Sequence, residues 1–345
     1  MQGRINEIYA RTLDVGGVSV PNRVVLAPMS GITNAPFRRL AEDLGAGLVV
    51  SEMTACAGLA NGEREANVRS HGKGVAINVV QLAGCEAHWM AEGARVAQAN
   101  GAQIIDINMG CPSKQVTNGS SGSALMRDLD HALSLIEATV NAVDVPVTLK
   151  MRLGWDADSI NAPELARRAE TAGVQMITVH GRTRCQFYTG NADWSAVRAV
   201  KQAVGVPVVV NGDIRSCDDA LSALHASGAD AVMVGRAAQG RPWFPGQVAQ
   251  FLATGERAPA PGLSAQLELI DTLYAELLGH HGVSIGRRHA RKHLGWALDV
   301  AAQTAGASSD LLKTHRTRVL TSEQPEEARR MLADAYDAFA WRAAA

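Results

Sequence analysis

Eight short apolar runs, rich in β-branched residues, recur along the chain. They occupy residues 24–30, 48–53, 75–83, 104–109, 145–151, 176–181, 206–212 and 231–235, mostly at intervals of roughly 25–30 residues. Between most of them the pattern changes to Ala-rich helical stretches, at 87–100, 130–142, 164–172, 195–203 and 218–226. Gly45, Gly101, Gly173 and Gly228 stand where helices would return to strands, a common site for a helix cap. Wholly apolar strands alternating with helices predict a parallel sheet covered on its faces. Eight such units predict an α/β fold of the (β/α)8 TIM-barrel type. The rival is a doubly wound sheet, which usually carries G-x-G-x-x-G after its first strand. Residues 27–31 read APMSG instead.

Ahead of the first run, residues 12–21 alternate apolar and polar around Gly16-Gly17. That predicts a small hairpin, placed to plug one end of the fold. After Phe251 the rhythm stops, and residues 258–262 (APAPG) read as a linker. In 264–279, Leu267, Ile270, Leu273 and Leu277 share one helical face, and helical patterns follow at 287–301, 309–320 and 325–342. Two domains are expected: a barrel with its hairpin at 1–255, and a small C-terminal helical bundle at 256–345.

Composition narrows the class. The 345 residues are 47% hydrophobic, enough for a large core. No apolar run reaches a membrane span, and residues 1–14 lack the apolar core of a secretory signal. The five cysteines at 56, 85, 111, 185 and 217 have no CxxC spacing. Neither zinc nor a disulfide framework is expected, and a reducing cytoplasm is the default. A net charge of −1 predicts no partner from the global field, so any nucleic-acid surface must be local.

In a barrel the site forms at the C-terminal ends of the strands. Those ends carry Pro28-Met29-Ser30, Gln81, Asn108 with Cys111, Lys150 with Arg152, His180 with Arg182, Asn211-Gly212-Asp213, and Gly235-Arg236. Six strand ends offering polar groups to one mouth exceed what turn chemistry requires. Asn-Gly-Asp and Gly-Arg after the last two runs occupy a barrel's usual phosphate position, and a short helix starting at 237–240 would complete it. Lys150 alternates with Val147, Leu149 and Met151 and should point into the mouth. It is read either as a cation beside a reduced flavin or as a Schiff-base amine. Gln81, Asn108 and His180 suit the polar edges of an isoalloxazine ring or of a base. No dinucleotide fingerprint is present.

Residues 106–112, DINMGCP, present a cysteine at a strand tip, ahead of a Gly/Ser-rich loop at 118–123 able to move as a lid. Cys111 is a candidate nucleophile or proton donor. In the C-terminal domain, residues 280–320 hold Arg287, Arg288, Arg291, Lys292, Lys313, Arg316 and Arg318 against Asp299 and Asp310. This local excess suits a phosphate backbone.

The stretches LAPMSG (26–31), SEM (51–53), INMGCP (107–112) with Gly122-Ser123, KMR (150–152), HGRT (180–183), NGDI (211–214), GRAAQGRPW (235–243) and ARKH (290–293) together resemble the tRNA-dihydrouridine synthases, most closely the bacterial B-type branch. The resemblance implies an FMN-containing barrel and a helical tRNA-binding domain. It implies reduction of the C5–C6 bond of particular uridines in tRNA with NADPH as transient reductant, with no membrane and no protein partner. By motif, Pro28, Met29, Ser30, Gln81, Lys150, His180, Asn211, Gly212, Asp213, Gly235 and Arg236 would bind FMN. Cys111 would protonate C5 while hydride from flavin N5 reaches C6. Asn108 and Arg152 would face the uracil, with Arg182, Arg291 and Lys292 as further substrate contacts. The loop at 117–121 reads TNGSS, less cationic than is usual in this branch. A Schiff-base aldolase using Lys150 and a tRNA-binding barrel without catalysis are the competing readings.

Overall fold

The computed structural model describes residues 9–343. The expectation of no secretory signal rests on residues 1–14, of which 1–8 lie outside the described residues. The chain divides into two compact units, Met1–Arg236 with Pro245–Arg257, and Ala237–Phe244 with Ala258–Ala345.

The first unit is the barrel. The hairpin strands β1 (Leu13–Val15) and β2 (Val18–Val20) pair antiparallel, Leu13 opposite Val20. Gly16 and Gly17 turn between them with φ of 59 and 89°, the positive pair that a two-residue hairpin favours. Nine further strand segments follow: β3 (Val24–Leu26), β4 (Leu48–Val49), β5 (Thr54–Ala55), β6 (Val79–Ala83), β7 (Ile104–Met109), β8 (Val147–Arg152), β9 (Met176–His180), β10 (Val208–Asn211) and β11 (Ala231–Val234). They form one parallel sheet in the order β4-β3-β11-β10-β9-β8-β7-β6-β5. A bridge between Val50 and Val79 joins its two ends, reinforced by Ser51 N donating to the Val79 carbonyl at 3.0 Å. β4 and β5 are therefore one interrupted strand, and the closed sheet has the eight positions of a TIM barrel. The predicted third strand starts late, at Val79 rather than residue 75.

Inward residues in the lower half of the barrel are apolar. Val25, Leu48, Val79, Ile104, Met176, Val209 and Ala231 pack with Leu13, Val15 and Val20 of the hairpin. The hairpin thus plugs the floor. Each of these side chains larger than Ala231 contributes on the order of 1.5–3 kcal/mol by leaving water.

Three of the helices between the strands start at side-chain caps. Asn34 accepts from Phe37 N before Ala35–Asp43, Asp128 from His131 N before Leu129–Val140, and Ser216 from Asp219 N before Cys217–Ser227. The helix expected to open at 237–240 is a single 3-10 turn, Arg236–Ala238, and the regular helix begins at Phe244–Thr254.

The second unit packs the helices Leu263–His281, Val283–Ala305, Ser309–Thr321 and Pro325–Ala343. Leu273, Tyr274, Leu277, Leu298, Leu332 and Phe339 form its core. The segment Ala237–Phe244 belongs here and not with the barrel. At Gly240 an added Cβ would lie 2.6 Å from the Trp296 carbonyl oxygen, so only glycine allows that approach.

Candidate active site

The inward phase that is apolar at the floor becomes polar toward the C-terminal strand ends. Register pairs Gln81 with Asp106, Asp106 with Thr148, Asn108 with Lys150, Lys150 with Thr178, and His180 with both Arg152 and Asn211. Neighbours at one level of a parallel sheet touch, and around Asp106 they are hydrogen-bonded through their side chains. Asp106 accepts from Thr148 Oγ1 at 2.6 Å and from Gln81 Nε2 at 2.7 Å. Gln81 Oε1 accepts from Asn108 Nδ2 at 2.7 Å.

Asn108 then reaches forward to the cysteine. Its Oδ1 accepts the backbone N–H of Gly110 at 3.2 Å and of Cys111 at 3.0 Å. Arg152 Nε holds the Gly110 carbonyl at 2.8 Å. The Cys111 carbonyl accepts from Ser123 N at 3.1 Å and Ser123 Oγ at 2.8 Å. Gly122, at φ 60°, leaves no room for a side chain, because a Cβ would meet the Cys111 carbonyl oxygen at 2.9 Å. Cys111 is half-buried and its thiol is free. The predicted lid at 118–123 is therefore pinned at its far end to the cysteine it follows, and a short helix, Lys114–Thr117, occupies its near side.

The mouth is strongly cationic. Lys150 is half-buried, and burial with nearby Arg152 pushes its ammonium pKa down to about 8, against the opposing pull of Asp106 and Cys111. Burial, then Lys150, Arg152, Arg182 and Arg236, hold His180 well below its ordinary range, so its imidazole is neutral. Burial raises the Asp106 carboxyl, and its bonds from Thr148 and Gln81 only partly offset this.

Several predicted contacts change role. Arg182 is fully buried, and its nitrogens engage the Thr189 and Gly190 carbonyls, His180 Nε2 and Asp213. It clamps the loop after β9 and presents no surface to a substrate. Arg152, 1% exposed, donates to the carbonyls of Gly110, Thr183 and Phe187, bracing the cysteine turn against that same loop. Gln81 exposes none of its surface and works through Asn108. Asp213, at φ 53°, is an acceptor for Arg182, Arg215 and Arg236. A carboxylate repels phosphate, so its part at the predicted phosphate position is to aim guanidinium groups. Against the upward push of burial, Arg182 and the Ala192 N–H keep its carboxyl below the usual range.

The remaining barrel residues stay at the mouth. Pro28 and Met29 are half-buried and Ser30 is exposed on the turn after β3. A Cβ added at Gly235 would meet the Ala27 Cβ at 3.8 Å, an ordinary van der Waals contact. Asn211 is anchored by Nδ2 to the Met233 carbonyl at 2.8 Å, and Gly212 is buried beside it. Arg291 and Lys292 belong to the helical unit, Arg291 half-buried and Lys292 exposed on Val283–Ala305.

Sequence reasoning assigned no role to Asp106, Thr148, Ser123 or Tyr188. Period-two alternation from Asn108 and Lys150 points to the first two. Tyr188, 51% exposed, lies between the Arg152 and Arg236 guanidiniums at 5.6 and 5.2 Å. No local pattern announces it.

Residues 25–331 match the family model of dihydrouridine synthase. The chain belongs to the dihydrouridine synthase family. A probable tRNA-dihydrouridine synthase of Rhizobium leguminosarum bv. phaseoli is 53% identical over 321 residues, 93% of this chain and 97% of the relative. One from Rhodobacter capsulatus is 52% identical over 293 residues, 84% of this chain and 90% of its own. The tRNA-dihydrouridine synthase B of Xanthomonas axonopodis pv. citri is 46% identical over 330 residues, 94% and 96% of the two chains. The motif resemblance, including its B-type branch, agrees with these relatives. Among solved structures, a 6-hydroxypseudooxynicotine amine oxidase from Pseudomonas geniculata N1 aligns at TM-score 0.55 and 14% identity, over 79% of this chain and 53% of that one. A histamine dehydrogenase from Rhizobium sp. 4-9 aligns at TM-score 0.55 and 13% identity, over 78% and 51%. This chain spans about half of each, and the likeness is one of barrel fold. As a dihydrouridine synthase the chain is an oxidoreductase. Among the described residues no helix is long and apolar enough to cross a membrane.

Proposed function

We propose that this chain reduces specific uridines of tRNA to 5,6-dihydrouridine, with FMN as cofactor and NADPH as the reductant that visits it. The supporting observation is the arrangement around Cys111. A half-exposed thiol is held by its own backbone above a mouth containing one buried-side cation, Lys150, and a neutral imidazole, His180.

The donor set fits an anionic, planar cofactor. Among the described residues Lys150 has no carboxylate within ion-pair distance, while Arg236 is aimed by Asp213 and stays exposed. Pro28, Met29, Ser30, Lys150, His180, Asn211, Gly212, Gly235 and Arg236 would hold FMN, with Arg236 and the glycine backbone toward its phosphate. When bound, FMN supplies the hydride that uridine C6 receives. Cys111 Sγ gives its proton to C5 as general acid. Asn108 keeps one amide hydrogen uncommitted, and it is available to a uracil carbonyl. The target base must leave the tRNA stack to reach the mouth, and cations on the helical unit hold the phosphate backbone. Lys150's low pKa also suits an amine nucleophile, but a uridine offers no aldehyde or ketone for a Schiff base. A cytoplasmic location follows from this substrate.

The test is direct. Purified chain, FMN and NADPH are incubated with unmodified tRNA, and dihydrouridine is mapped by mass spectrometry. Dihydrouridine at defined positions is expected. A protein that takes up no flavin, or a flavin-loaded one that leaves tRNA unchanged, overturns the proposal.

A further inference from the structure

Asp106 is a buried carboxylate with no part in the chemistry above. It is 3% exposed and sits one inward position above Ile104 of the apolar floor. Burial of a carboxylate is costly, and an apolar side chain would fill the place more cheaply.

The hydrogen bonds around it run in one direction. The N–H groups of Gly110 and Cys111 donate to Asn108 Oδ1 at 3.2 and 3.0 Å. Asn108 Nδ2 donates to Gln81 Oε1 at 2.7 Å, and Gln81 Nε2 donates to Asp106 Oδ2 at 2.7 Å. A side-chain amide has nearly the same shape when flipped, so neighbours must decide its orientation. Here both ends decide it. A backbone N–H can only donate, and Asp106 Oδ2 accepts whether the carboxyl is ionised or neutral, because the proton of a neutral acid belongs on Oδ1, toward the Thr148 hydroxyl, which can accept it. Flipping either amide sets N–H against N–H or oxygen against oxygen. Thr148 Oγ1, at 2.6 Å, holds the other carboxylate oxygen in place.

We propose that Asp106 is a positioning residue for Cys111: as the accepting end of the chain, it orients Gln81 and Asn108 so that the Asn108 carbonyl caps the Gly110–Cys111 turn and aims the thiol into the mouth. Its effect on uridine reduction rests on the proposed role of Cys111 as proton donor. Its effect on the thiol does not.

Two substitutions separate acceptor from shape and from charge. Asp106→Leu keeps approximate shape and removes the acceptor, leaving Gln81 Nε2 unpaired. Asp106→Asn retains an acceptor, because its amide nitrogen can turn to Thr148, whose hydroxyl accepts as well as donates. The readouts on flavin-loaded full chain are the rate of Cys111 alkylation by iodoacetamide, flavin reduction by NADPH, and uridine reduction. Asp106→Leu should change alkylation at least about threefold and slow uridine reduction about tenfold, the scale of one lost buried hydrogen bond. Its flavin reduction should match wild type. Asp106→Asn should stay within about threefold in all three. Native alkylation in folded Asp106→Leu overturns the proposal. So does a tenfold loss in Asp106→Asn, which decides the matter if the leucine variant does not fold. Alkylation needs no tRNA, so a wild type that reduces no uridine counts against the proposed activity and not against the chain of bonds.

Discussion

Ile104 and Asn108 face the same barrel interior from one strand, four residues apart, and differ in everything that holds them. Ile104 is fully buried among Val79, Val209 and the hairpin's Val15. Its contacts are non-directional, and a side chain of similar volume would serve about as well. Asn108 is 7% exposed, and its carbonyl accepts two backbone donors while its amide donates to Gln81. No residue of similar volume could replace that pattern. The floor gains stability by burying area. The mouth gives some back, because burial penalises the charged forms of Lys150, His180 and Asp106. Stability and chemistry are thus separated along the strand axis by about 13 Å, four residues of extended chain.

That separation can be broken at either end. Cys111→Ala should lower uridine reduction by about 10²–10⁴-fold, the usual worth of a positioned general acid. Because Cys111 packs against no core, its thermal midpoint should move by less than about 2 °C. Flavin binding, read by the visible spectrum, should persist. Full activity in this variant removes Cys111 from the chemistry. The opposite signature belongs to the floor. Ile104→Ala should cost about 2–5 kcal/mol by cavity formation, seen as a lower urea midpoint, while turnover of the folded fraction at 25 °C stays near wild type. Lost turnover with unchanged stability would show that floor and mouth are coupled.

A smaller effect comes from pH. The Lys150 amine has its pKa lowered to about 8 by burial and by Arg152. It is charged below that value and neutral above it. If its charge supports the anionic cofactor, uridine reduction should fall as pH rises through about 8, approaching tenfold per unit. Lys150→Met should flatten that limb at a lower plateau. The stability sign is the reverse. Between about 8 and the ordinary lysine value the unfolded chain binds more protons than the folded one, so stability rises with pH across that window. The variant should lose that rise. An alkaline limb that survives in Lys150→Met assigns it to another group.

Much of this arrangement is legible in the sequence, and its gaps have a common cause. The eight apolar runs, the plugging hairpin and the polar strand ends follow from local periodicity. What periodicity cannot reveal is which polar groups are already engaged. Arg152 and Arg182 read as substrate cations because their partners, carbonyls between Thr183 and Gly190, lie on a loop with no regular pattern. Asp213 read as a ligand contact because its three arginines converge only in space. The GRAAQGRPW stretch crosses from one unit to the other after Arg236. Within the basic stretch at 280–320, Arg316 pairs with Asp299 and Arg287 donates to the Glu323 carbonyl, so these two guanidiniums are already engaged within the unit.

The helical unit supplies the smallest test. On Val283–Ala305, Arg288 and Lys292 are exposed one helical turn apart, and Lys313 and Arg318 are exposed on Ser309–Thr321. Arg291, half-buried with its Nε enclosed, is a poorer phosphate contact than Lys292. A single phosphate contact releases about one counterion, so Lys292→Ala should reduce the salt-dependence slope of tRNA binding by about one and weaken affinity a few-fold. Arg288→Ala together with Lys292→Ala should lower the slope by about two. Neither variant should alter the flavin spectrum or Cys111 alkylation, because backbone contacts position the tRNA without entering the reaction. An unchanged slope in the double variant would mean that this face does not hold tRNA, and the grip would have to come from the exposed Arg215, Arg236 and Tyr188 of the mouth itself.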